Sequence, residues 1–255
     1  MKTLLLPCLA IATFSATSPL NAASIAWNTS PGVADTEVNT AGTQIFGYYF
    51  NSNPVNPAVA TVNSVPFTLQ TTAAAPAGLN FNGSYNNPED VDTYQVPISA
   101  ANSGLNQIMD GQNWGAAAPL TLTGLTPGQT YQFQMMISDD RAGYLNTRNY
   151  DLSDALDPEG ARDIERAYHS TRGGGVPAGA PVGSIEAKIF TGSFIADGIG
   201  TQDIANWLYE NTDHTGANSG SQVNAIQLRL IPEPGILLMG AVASIGLLAY
   251  RRRRS

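Results

Sequence analysis

Cysteine is nearly missing from this chain, and its placement matters more than its number. The single cysteine, Cys8, sits inside an apolar leader, so everything after that leader lacks disulfides and cysteine metal sites. A domain without such staples must be held by its own core. Histidine is scarce too: His169 and His214 are the only two, and neither belongs to an H-E-x-x-H pair. With no G-x-S-x-G turn either, the sequence carries no zinc-hydrolase or serine-hydrolase signature. Each lone histidine reads first as a surface or loop residue. Positive charge is sparse in the middle of the chain. Residues 24–230 hold 19 acidic and 7 basic side chains, a difference of twelve negative charges. That balance disfavours nucleic acid and anionic polysaccharide as partners, since both demand positive surface, and leaves neutral glycans and cations. Long hydrophobic runs are also absent, except at the two ends.

The first end reads MKTLLLPCLAIATFSATSPLNAAS. Lys2 supplies a short positive region, residues 4–14 an apolar stretch, and Ala22 and Ala23 the small residues of a cleavage site, so residues 1–23 are expected to be a secretory signal peptide. Cys8 follows Leu5, Leu6 and Pro7 too early to form a lipoprotein acylation box. The alternative, a first strand or a buried helix, does not account for the charge and cleavage pattern.

The second end reads IPEPGILLMGAVASIGLLAYRRRRS, residues 231–255. Residues 235–250 carry no charge and as a helix would extend roughly 24 Å at about 1.5 Å per residue, a workable match to a bilayer core of about 30 Å. Arg251, Arg252, Arg253 and Arg254 then read as a stop-transfer cluster on the cytoplasmic side, with Tyr250 at the interface. A buried core helix would not place four arginines directly after its last turn. Ahead of the helix, Pro232, Glu233 and Pro234 keep the chain extended in a form a protease can read. Pro-Glu-Pro, one apolar helix and a terminal arginine cluster together resemble the bacterial PEP-CTERM sorting signal. The resemblance implies export, a temporary anchor in the inner membrane, and processing by exosortase, a membrane-embedded cysteine-type transpeptidase. Delivery to the cell surface or extracellular matrix would follow, often alongside exopolysaccharide production. It covers about 25 residues and implies nothing about the domain delivered.

The delivered domain, residues 24–230, is expected to be all-β. QIFGYYF (44–50), SVPFTLQ (64–70), PLTLTGL (119–125), TYQFQMMIS (130–138), IEAKIFTGSFIA (185–196) and VNAIQLRLI (223–231) suit strands. Tyr131, Phe133 and Met135 alternate with Gln132 and Gln134, and Ile226, Leu228 and Leu230 with Ala225, Gln227 and Arg229, which predicts sheets with one buried face. LTLTGLTPGQTYQFQ reads as a hairpin, with Pro127 and Gly128 in its turn. It resembles the F-strand region of fibronectin type III domains and many bacterial jelly-roll modules, a structural likeness without chemistry. Residues 85–115 read as loop-rich and do not supply the strands that two immunoglobulin-sized domains need. The expectation is one two-sheet antiparallel sandwich, jelly-roll-like with long loops, followed by one C-terminal hydrophobic helix. The region 33–230 also resembles a recurrent extracellular module of surface proteins with this tail, and no activity comes with that resemblance.

Residues 138–183 hold five of the seven cationic residues of the domain and end in RGGGVPAGAPVG, so they read as a long excursion between core strands. A helical turn is expected around 158–168, and a short helix at 203–210, where Ile204, Trp207 and Leu208 share a helical face. Such loops are where ligands usually bind. Flat aromatic faces beside planar polar groups suit sugar hydroxyls, and Tyr85, Tyr94, Trp114, Tyr144 and Tyr150 lie in Gly/Asn-rich stretches, with Arg141 and Arg148 nearby. The glycan-binding candidates are therefore Trp114, Arg141, Tyr144 and Arg148, with Trp114 equally suited to plug the core. No catalytic residue is assigned and no cofactor is expected. A structural calcium ion is the one metal considered, at the acidic segments 86–92 and 151–160, which do not match an EF-hand and also fit plain solvated charge. The function expected is that of an exported, non-enzymatic surface or matrix protein binding neutral exopolysaccharide. The alternative is an extracellular polysaccharide hydrolase or lyase using loop carboxylates.

Overall fold

Short apolar runs punctuated by Gly, Pro and Asn are too brief for core helices, and the chain folds almost entirely as strands. A computed structural model describes residues 24–31, 34–72, 75–81, 85–89, 104–115, 120–137, 149–153, 165–168, 188–209 and 221–232. In chain order the elements are β1 (Ala26–Pro31), β2 (Thr43–Phe50), β3 (Val59–Val62), β4 (Val65–Gln70), β5 (Leu79–Phe81), β6 (Tyr85–Glu89), α1 (Gly104–Met109), β7 (Gln112–Gly115), β8 (Leu120–Thr123), β9 (Thr130–Ile137), β10 (Asn149–Ser153), β11 (Glu165–Tyr168), β12 (Lys188–Ile195), β13 (Thr201–Tyr209), β14 (Ser221–Val223) and β15 (Ala225–Ile231). They form a seven-stranded sheet in the order β1-β12-β9-β15-β2-β4-β3, a five-stranded sheet β11-β10-β13-β8-β5, and a three-stranded sheet β14-β7-β6.

The large sheet is mixed, which corrects the antiparallel expectation. The chain leaves β2, passes through residues 51–58 and runs as β3 along the edge. It then turns at Asn63 and Ser64, both at positive φ, and returns as β4 between β3 and β2. Reversing twice brings β4 parallel to β2, with Tyr48 opposite Thr68 and Phe50 opposite Gln70.

One buried cluster draws side chains from both larger sheets: Phe46, Phe50, Phe133, Met135, Phe190, Phe194, Ile226 and Leu228 from the seven-stranded sheet, and Leu79, Leu120, Leu122 and Ile204 from the five-stranded one. The segment LTLTGLTPGQTYQFQ corrects another expectation. Its two strands do not pair: β8 joins β13 and β5, while β9 joins β12 and β15. The Pro127-Gly128 turn is therefore an arch that carries the chain from one sheet to the other. A second arch, residues 196–200, joins β12 to β13 beside it, and the two bond to each other through Leu125 N to Gly200 O (3.0 Å), Gly128 N to Ala196 O (2.8 Å) and Ala196 N to Gln129 O (2.9 Å). The phenol oxygen of Tyr131 accepts from Thr126 N at 2.9 Å and holds the first arch closed.

The expectation of a single buried face also fails for β9 and β15. A second cluster lies on the opposite face of the seven-stranded sheet: Val38, Tyr49, Ala60, Val62, Phe67, Met136, Ile189 and Ala225, covered by Leu105, Ile108 and Met109 of α1. Asp35 caps that helix, accepting from Leu105 N (3.0 Å) and Gly104 N (3.3 Å). Gly104 permits the seating, because a Cβ there would stand 2.0 Å from Thr61 O on the edge strand.

Three local readings change as well. The helix expected at 203–210 is strand β13, because pairing with β8 and β10 satisfies its backbone and a short apolar run does not fix its own period. Of the turn expected at 158–168, residues 165–168 form strand β11, and 158–164 lie outside the described residues. The stretch 85–115, read as loop, supplies β6, α1 and β7, with Pro88 tolerated where the β6–β7 register shifts. The predicted strand 223–231 is broken at Asn224, whose side chain donates to Met109 O (2.9 Å) and Gly111 O (2.8 Å) and so pins the end of α1 to the large sheet. The segments expected to form a signal peptide and a C-terminal hydrophobic helix lie outside the described residues. Among those that are described, no helix is long and apolar enough to cross a membrane.

Candidate functional site

The two larger sheets each have one face turned away from the shared cluster, and these faces differ in kind. On the seven-stranded sheet that face is closed by polar bonds as well as by α1. Gln134 accepts from Asn39 N (2.9 Å) and donates to Thr191 Oγ1 (3.0 Å) and Glu37 O (3.3 Å). Gln227 donates to Asn39 O (3.1 Å) and to the Gln134 carbonyl, while Asn39 donates to Gln132. Arg229 finishes the arrangement. It is 6% exposed and donates to Thr40 O (2.8 Å), Ala41 O (2.6 Å), Gly42 O (2.8 Å) and the Gln227 side-chain carbonyl (3.3 Å). Each acceptor is a carbonyl oxygen, and burial pushes the guanidinium below its usual range. The network fastens residues 39–42 onto the sheet. Tyr48, packed against the shared cluster on the sheet's other face, and Tyr49, in the second cluster on this one, are held in a similar way. Each phenol donates to a backbone carbonyl, of Ala77 and Pro57 respectively; burial raises both, Tyr49 to about 12.

The five-stranded sheet is different. Ile204, Leu120 and Leu122 face the core, and Asp203 and Thr121, paired across β13 and β8, take the alternate register positions. Pairing continues across the sheet. Asn149 stands between Tyr209 and Tyr168, and Asp151 between Trp207 and Arg166, giving two cross-strand rows, Tyr168–Asn149–Tyr209 and Arg166–Asp151–Trp207. Neighbouring strands lie about 4.8 Å apart and successive rows about 7 Å apart. Three aromatic residues, two short polar residues and one arginine are thus brought together by backbone pairing across three adjacent strands. Toward the arches β13 carries Asp203, whose carboxylate accepts from Thr121 Oγ1.

The residues expected from sequence fall elsewhere. Trp114 lies in β7 opposite Gln222, and Gln112, two residues earlier in the strand, is fully buried with neither end of its amide bonded. Arg141, Tyr144 and Arg148 lie outside the described residues, as do Glu233, Pro234, Arg251, Arg252, Arg253 and Arg254. Pro232 is described and exposed, directly after β15. Tyr150 lies in β10 opposite Leu208 and Ala167. Of the two acidic segments considered for calcium, 86–89 and 151–153 are strand residues, and among the described residues no group of three or more His, Cys, Asp or Glu could hold a metal ion. Sequence reasoning missed Trp207, Tyr209, Tyr168, Asn149, Asp151 and Arg166. The usable signal was period-two alternation in TQDIANWLY, obscured there by helix-like spacing.

No family model matches this chain, and no curated protein does. A similar solved structure is the ANX2 ectodomain from Arabidopsis thaliana, at 13% identity and a TM-score of 0.43, covering 75% of this chain and 50% of that one. The chain thus spans half the length of that ectodomain, and a likeness so distant carries no argument about ligand or role.

Proposed function

We propose that this is an exported, non-enzymatic surface or matrix protein that binds neutral carbohydrate on the five-stranded sheet. Its leader directs secretion. Its C-terminal tail acts as a PEP-CTERM signal, anchoring the chain in the inner membrane until an exosortase processes it at Pro232, Glu233 and Pro234, with Arg251, Arg252, Arg253 and Arg254 as the stop-transfer cluster. The two larger sheets pack as a jelly-roll-like sandwich. Support for that packing comes from the one buried cluster fed by both.

The observation that carries the binding reading is the pair of registered rows, Tyr168–Asn149–Tyr209 and Arg166–Asp151–Trp207. Aromatic rings cover the apolar C–H face of a pyranose, while amide, carboxylate and guanidinium groups meet its hydroxyls. The domain's negative charge suits an uncharged ligand over an anionic one. Binding is favoured over hydrolysis by spacing: Asp151 pairs with Trp207, four residues from Asp203, so these two carboxylates are roughly 13 Å apart along the strands, beyond the approximately 5–10 Å of a glycosidase pair.

The test is a panel of neutral and acidic oligosaccharides presented to the secreted protein and to Trp207→Ala. Binding to neutral glycans, lost in the variant and unaffected by chelator, is the expected result. Retention by the variant of full binding would overturn the assignment, and turnover of any glycan would restore the hydrolase reading.

A further inference from the structure

Large exposed aliphatic side chains are few among the described residues: Ile45, Val55, Val59, Ile195 and Ile199. Their positions fall into two groups. Register brings Ile195 opposite Thr130, and Thr130 opposite Ile231, so the end of β12, the two arches and the end of β15 lie at one end of the molecule. Ile195 and Ile199 are each 56% exposed there, beside exposed Pro127 and Gly198. Ile45, 51% exposed, stands near the start of β2, which pairs with the last residues of β15. Val55 and Val59 lie at the opposite end, where β2 finishes at Phe50.

Charge is nearly absent at the arch end. Residues 124–129 carry none, and residues 196–200 carry only Asp197, which folds back to accept from Ile199 N at 2.9 Å. The chain also leaves from this end. Pro232 follows the last paired residue, and Gly235, the first of the uncharged run 235–250, comes three residues further on. Three residues reach at most about 10 Å at 3.3–3.6 Å each. Ser24, two residues before β1 begins opposite Ser193, emerges at the same end.

From these observations we infer that the arch end is a membrane-contact surface, with Ile195 and Ile199 entering the headgroup boundary of the bilayer that holds the tail. The inference rests on the anchoring reading above. A tail held in lipid and a reach of about 10 Å leave this end nowhere to go but the membrane surface. Exposed aliphatic side chains in a segment whose single charge, Asp197, is turned back onto the backbone are the groups that gain from that contact. The domain then stands upright before processing. Trp207, six residues along β13 from the arch, is raised roughly 20 Å above the lipid, so the proposed sugar face points into the space beyond.

The experiment uses the full chain with Cys8→Ser, reconstituted through its tail into phosphatidylcholine vesicles containing a tenth phosphatidylglycerol and lipids spin-labelled near the headgroup. An environment-sensitive dye is attached at Ile199→Cys, at Pro127→Cys or, as the far-end control, at Val55→Cys. The expected result is a blue shift and at least twofold stronger quenching at positions 199 and 127 than at 55. In a background of Ile195→Ser with Ile199→Ser, quenching at position 127 should fall about twofold. Chain that floats with the vesicles while all three dyes remain equally unquenched overturns the contact surface and leaves the anchor standing; so does quenching at position 127 that survives the double substitution. Chain that does not float overturns the anchor, and the contact surface with it.

Discussion

The two larger sheets bury one face in a common cluster and treat the other in opposite ways. On the seven-stranded sheet, α1 and residues 34–42 lie across that face, and Gln134, Gln227 and Arg229 are bonded to backbone carbonyls and to one another. On the five-stranded sheet, strand pairing aligns Trp207, Tyr209, Tyr168, Asn149, Asp151 and Arg166 in two rows. The difference separates polar side chains that hold the fold from the rows proposed to meet a ligand. A buried polar group with every bond made inside the protein is structural. A mixed aromatic and polar row on a sheet face has the composition of a recognition surface.

The comparison breaks most visibly at Arg229. Replacing it with Met keeps the bulk but abandons three backbone carbonyls, and the expected loss is about 3–5 kcal/mol of unfolding free energy in urea titrations of the secreted protein. Sugar binding by whatever fraction remains folded should be unchanged. At Trp207 the pattern inverts: Trp207→Ala should weaken neutral-glycan binding on the order of tenfold or more while moving the urea midpoint little. A variant that altered both equally would erase the distinction between the faces.

Alkaline pH probes the closed face through Tyr49. The Tyr49 phenol is raised from 10.0 to about 12 because burial disfavours its ionised form. Its contribution to stability is therefore complete below pH 10 and is lost as pH rises from 10 toward 12, where the unfolded chain ionises first. Urea midpoints across that window should decline in the native protein and decline less in Tyr49→Phe. The smallest effect is expected from Thr121→Val, which removes one part-buried hydrogen bond to Asp203 from the arch end of the ligand face. It should lower stability by about 0.5–1.5 kcal/mol and leave glycan affinity within about twofold.

Much of the β architecture was legible in the sequence. Runs such as 44–50, 64–70 and 130–138 match β2, β4 and β9 to within a residue or so, since alternation and turn residues act locally. What escaped depends on partners distant in sequence. LTLTGLTPGQTYQFQ has the spelling of a hairpin, and only the placement of β13 and β12 makes it an arch between sheets. Gln134, Gln227 and Arg229 look solvent-facing by alternation, because nothing nearby announces that residues 34–42 and α1 will cover them. The proposed site was hidden for the same reason. Asp151 and Trp207 are far apart in the chain and become neighbours only through the pairing of β10 with β13. In addition, Ile204, Trp207 and Leu208 mimic a helical spacing that the backbone does not adopt.

The measurement closest to the central claim is a backbone and indole NMR titration of the secreted protein with a neutral oligosaccharide that the panel identifies. Shifts gathered at the Trp207 indole and at residues 149–151, 166–168 and 207–209, with residues 39–42, 134, 227 and 229 unmoved, are the predicted result. Shifts centred on the Arg229 network, or spread without preference over both sheets, would contradict it.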